Sequence, residues 1–106
     1  MSLETIEEKS TAYLTVVCLD KDGSPETPSS AEYRADCVTT STQIKDWTAT
    51  TPGAAMEITL DKTINVIQTA TNEYEKKRIT FKAVFGANDE SYAQYDYLVH
   101  NLSQVS

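Results

Sequence analysis

Apolar residues recur at every second position along most of this chain, and that period governs the reading. In residues 31–49, AEYRADCVTTSTQIKDWTA, Ala31, Tyr33, Ala35 and Cys37 fall on one side and Glu32, Arg34 and Asp36 on the other. Side chains alternate faces along a strand, so this spacing makes one apolar and one wet face. A helix would scatter the same residues around its circumference. Thr39, Thr40, Ser41 and Thr42 form a polar break suited to a turn, and a second strand follows with Ile44 and Trp47. Trp47 is the only tryptophan and the largest apolar side chain available, so it is expected to anchor the core. Trp47→Ala should then cost about 3–5 kcal/mol; an exposed ring would instead favour an interface role.

The same period recurs around this pair. Residues 11–19, TAYLTVVCL, are rich in β-branched and aromatic side chains and predict a strand. Ala12, Leu14, Val16 and Cys18 share one face and Tyr13, Val17 and Leu19 the other. Apolar character on both sides suits a central strand better than an edge. Residues 20–30 read as a loop: Asp22-Gly23 marks a tight turn, and Pro25 and Pro28 forbid a regular ladder. Residues 48–53 are a second loop. Met56, Ile58 and Leu60 then point inward from residues 54–60, with Glu57 and Thr59 outward. Residues 61–77 connect onward with at most one helical turn, capped by Asp61. Tyr74, at its end, fits either a corner tyrosine bonded to backbone or an ordinary half-buried ring.

Residues 78–85, RITFKAVF, form the strongest predicted strand, with Ile79, Phe81, Ala83 and Phe85 inward. The turn cluster GANDE leads into residues 91–102, and these two strands should make a hairpin. Residues 1–10 lack periodicity and read as a flexible acidic tail, with Leu3 and Ile6 as its apolar points. Residues 11–103 form a single domain. The expected architecture is all-β, an antiparallel sandwich of six to seven strands. Its expected core is Trp47, Phe81, Phe85, Tyr33, Leu14, Val16, Ile58 and Tyr95.

Charge narrows the function classes. The net charge of -7 opposes binding to phosphate backbones, and Lys76-Lys77-Arg78 is too short a run to form a basic patch. No apolar run is long enough to span a bilayer as a helix. The N-terminus is acidic and polar, unlike a secretory signal, which points to a reducing compartment. Cys18 and Cys37 are accordingly expected to be reduced and buried, acting as small hydrophobes rather than as a disulfide. Asp20 and Asp22 before Gly23 faintly suggest a calcium loop, but its distal Glu ligand and helices are missing. The lone histidine, His100, sits on the wetter face of the last strand as a solvated residue, leaving no base for a nucleophilic triad. None of the three glycines opens a helix as a phosphate loop would. No catalytic, cofactor or metal set emerges.

The segments YLTVVCLDKDG, PSSAEYRADCV, IKDW, MEITL, RITFKAVFG and YDYLVHNL run in order through most of the chain. Together they resemble an immunoglobulin-like or fibronectin-III-like sandwich, and more narrowly the small Ig-like structural proteins of tailed bacteriophages. Trp47 lies after both cysteines, which departs from the Cys…Trp…Cys order of antibody-type domains. The resemblance implies a non-enzymatic virion protein, made in the host cytoplasm, that decorates a capsid or joins head to tail. Its partners would be other virion proteins or further copies of itself, without nucleic acid or membrane. The alternative is an Ig-like adhesion or binding module of a bacterial surface protein. Leu3, Ile6 and Leu98 are the candidate interface residues.

Overall fold

The period-two pattern becomes pleated sheet through more than half of the described residues. A computed structural model describes residues 4–20, 22–86 and 89–102. Its strands are β1 (Thr5–Glu7), β2 (Ala12–Val17), β3 (Ser30–Cys37), β4 (Thr42–Thr50), β5 (Ala55–Leu60), β6 (Tyr74–Gly86) and β7 (Asp89–His100). They form a five-stranded sheet, β1-β7-β6-β3-β4, and a two-stranded sheet, β2-β5. The apolar faces of both sheets share one core in a sandwich-like arrangement. Rows cross the large sheet, Tyr33 beside Phe81 and Phe81 beside Ala93, then Ala35 beside Ile79 and Ile79 beside Tyr95. Met56, Ile58 and Leu60 of β5 close over them.

The expected inward residues of β3, β5 and β6 are inward, and Cys18 and Cys37 are buried and free. The connection after β5 makes the capped turn expected of it. Asp61 Oδ1 accepts the Thr63 and Ile64 N–H groups, and Asn65 N–H donates to Asp61 O. Asn65 Oδ1 in turn accepts the hydroxyl of fully buried Tyr97 at 2.6 Å. Burial pushes the Tyr97 phenol above its ordinary value.

Four expectations need correction. Thr5–Glu7, placed in a flexible tail, is strand β1, and Ile6 packs on the core. β1 runs parallel to β7, so the large sheet is mixed rather than antiparallel. A parallel pair needs a long crossover, and here the intervening chain from β2 to β6 supplies it. Next, β2 is not central: β5 is its only strand partner among the described residues. The loop after β2 carries the chain across to the other sheet, so β2 and β3 never pair. Tyr13, Val17 and Leu19 are left 64%, 55% and 54% exposed.

Finally, Trp47 is not a core anchor; it is 37% exposed. The β3–β4 register slips between Tyr33 and Ala35, because Tyr33 faces Thr48 while Ala35 faces Lys45. A second shift follows between Ala35 and Asp36, so the faces are restored, and Trp47, next to the Thr48 that faces Tyr33, points outward from the bulged stretch. Asp46 Oδ1 accepts the Trp47 N–H at 2.8 Å within it, and the indole lies on the outer face of the sheet.

Candidate interaction surface

The outer face of the large sheet is built from the wet positions of its strands, and register sets their order. Asp36 stands beside Arg78 and Arg78 beside Asp96; Arg34 stands beside Thr80 and Thr80 beside Gln94. Arg78 forks onto Asp96, with Nε to Oδ1 at 2.8 Å and Nη2 to Oδ2 at 3.0 Å. Arg34 forks onto Asp36 in the same way, at 3.0 and 2.8 Å. Such paired parallel bonds fix the guanidinium planes. The bond from Arg78 holds the Asp96 carboxyl below its ordinary range, and the bond to Asp36 raises the Arg34 guanidinium.

Locked in this plane, Arg34 places its Cζ 5.9 Å from the centre of the Trp47 ring. Trp47, Arg34, Arg78, Tyr92, Gln94 and Gln43 line an open groove of about 600 Å³ on this face. The two arginines are already charge-paired, so the groove offers planar and aromatic surface rather than free cationic charge. An arrangement of this kind suits contact with another surface. His100 lies elsewhere, between Tyr74 and Glu7. Its ring stacks on Tyr74 at 4.8 Å and its Nδ1 is 2.9 Å from Glu7 Oε2, so it is more enclosed than a solvated histidine.

The residues expected to form an interface are not brought together. Leu3 lies outside the described residues. Ile6 stands beside Val99 on the inner face, whereas Leu98 stands beside Thr5 on the outer face. Leu98 alone reaches the wet side, next to Lys76 and away from Trp47.

Two further features escaped the sequence reading. Glu75 and Lys77 are fully buried and paired, with Nζ 3.1 Å from Oε1. They share the parity of Ile79 and Phe81, a signal hidden because the strand was expected to begin at Arg78. Glu75 also accepts the N–H groups of Gln68 (2.6 Å) and Thr69 (2.8 Å) and the Asn72 amide (3.0 Å). Burial by itself would raise the Glu75 carboxyl, but these bonds and the one from Lys77 outweigh it and hold the group down to about 2. The second feature is a cleft between β2 and β7, which no local pattern could reveal.

Compared with protein-family models, curated proteins and solved structures, the chain matches none.

Proposed function

We propose that this protein is a non-enzymatic structural component that works by protein–protein contact through the outer face of its large sheet. The observation that carries the reading is the partly exposed Trp47 held against Arg34, in a groove that also contains Arg78 and Tyr92. Tryptophan, tyrosine and arginine dominate binding energy at protein interfaces. Pre-locked guanidinium planes also lower the ordering cost of association. The resemblance to small Ig-like proteins of tailed phages supplies the setting. The sandwich is read as Ig-like and the partner as another virion protein, at the capsid surface or the head–tail junction.

The test is to purify particles from the parental genome and quantify the chain by mass spectrometry. Stoichiometric presence, reduced by Trp47→Ala in a variant that still folds, is expected. Absence from particles, with the gene intact and expressed, overturns the virion reading and favours the surface-adhesion alternative. Undiminished incorporation of Trp47→Ala removes the outer face from the contact.

A further inference from the structure

β2 has the sequence of a central strand and the position of an edge strand, and that mismatch points to a missing neighbour. No charged residue occurs from Thr11 to Leu19. Exposed edges are ordinarily guarded by charges, prolines or bulges. β4, at one edge of the large sheet, follows that rule with Lys45, Asp46 and its register shifts. β2 has no such guard. Cys18 N–H donates to Ala54 O, so by strand alternation the backbone groups of Val16 and Leu14 face β5. Those of Thr15 and Val17 face the open edge.

The space beside that edge has the form of a strand. The large sheet extends past the two-stranded one, so the inner face of β7 is uncovered along its first half, where Ser91 and Ala93 are exposed. Leu14 and Val16 on one side, and Ile79, Phe81, Ala93 and Tyr95 on the other, line a cleft of about 240 Å³. It continues towards Leu19, Phe85 and Tyr92 as a further space of about 100 Å³. β7 forms the floor of this cleft, so a second sandwich docking β2 against β2 by two-fold symmetry would bring its own β7 into the same space. A single strand meets no such obstacle.

Charge describes the occupant further. Asp20 follows Leu19 directly, Glu26 is tied by its N–H to Cys18 O, and Glu90 accepts the hydroxyl of Tyr92, so acidic groups border the Leu19 end. Against them stands Lys82, 4.0 Å from Glu90. At the other end Glu4 accepts the Tyr95 hydroxyl.

We propose that this cleft receives one extended segment of a partner protein, apolar at alternate residues and ending in Lys or Arg, which adds to β2 as a third strand. Backbone bonds to Thr15 and Val17 would supply affinity, and alternate side chains resting on Ala93 and Tyr95 would supply selectivity. This cleft lies on the β2 side of β7 and shares only Tyr92 and Gln94 with the Trp47 groove, so either contact can fail without the other.

The test titrates the full, isotope-labelled chain with a synthetic peptide of alternating Val and Thr ending in two lysines, followed by NMR. Shifts should concentrate at residues 13–17 and at Ala93 and Tyr95, which do not line the Trp47 groove, with slowed amide exchange at Thr15 and Val17. The same peptide ending in two glutamates should bind more weakly. Thr15→Pro removes an N–H from the open edge and none of the bonds to β5. It should weaken binding about tenfold or more, the equivalent of roughly one lost hydrogen bond. Ala93→Arg, which fills the floor, should do the same and guards against misfolding of the proline variant. Absence of binding, equal binding of the glutamate peptide, indifference to both substitutions, or shifts confined to the Trp47 face would each overturn the proposal. So would sedimentation showing that the chain alone dimerises and protects the same amides, since the occupant would then be a second copy.

Discussion

Removing the Glu75 carboxylate should be among the most damaging single changes in the molecule. Its side chain is fully buried and ties the connection before β6 to the sheet through Gln68, Thr69 and Asn72, while pairing with buried Lys77. Glu75→Ala leaves a lysine without its counter-charge and two backbone N–H groups without their acceptor. Breaking a buried pair from one side costs about 3–5 kcal/mol. The carboxyl also links stability to pH. Its ordinary value of 4.5 falls to about 2 on folding, and at about 1.36 kcal/mol per unit this is worth roughly 3 kcal/mol. Because the folded value is the lower one, the stabilisation is complete above 4.5 and is lost as the pH falls from there towards 2. Urea unfolding at pH 7 and across pH 2–5 would measure both effects. Glu75→Gln keeps the shape and should flatten much of the acid-side loss. Replacing both partners, Glu75→Leu with Lys77→Met, should cost less than Glu75→Ala alone, because no charge is then stranded. A Glu75→Ala protein within about 1 kcal/mol of the parent, with an unchanged pH profile, would refute the buried pair.

Trp47→Ala should cost about 1–2 kcal/mol and clearly less than Phe81→Ala, expected near 3–5 kcal/mol; equal losses in urea unfolding would return Trp47 to the core. Tyr97→Phe deletes the hydroxyl that Asn65 accepts and should cost about 1–3 kcal/mol, since a buried acceptor is left without its partner. A thermal melt matching the parent would contradict that. Cys18 and Cys37 should both react with a thiol reagent in denaturant without reductant and resist it in the folded protein. Recovery of neither in denaturant would mean a disulfide.

Local pattern alone determined a good part of this architecture. Alternation of side-chain faces is a property of each strand by itself, so Tyr33, Ile58, Phe81 and their same-parity neighbours could be assigned inward from the sequence. The β6–β7 hairpin was legible for the same reason, because adjacent strands with a short link pair with each other. What the chain could not declare locally is which strands become neighbours across long separations. Only the assembled fold lays β1 parallel to β7, leaves β2 at an edge despite its central-strand sequence, and opens a cleft beside it. Trp47 shows the limit most sharply. Its size argued for the core, but pairing decides the face: Thr48 stands opposite inward-pointing Tyr33, so the neighbouring Trp47 ring falls outward against Arg34. Glu75 and Lys77 show the converse. Their charge argued for solvent, and only the convergence of Gln68, Thr69 and Asn72 on one carboxylate makes the interior a tolerable place for them.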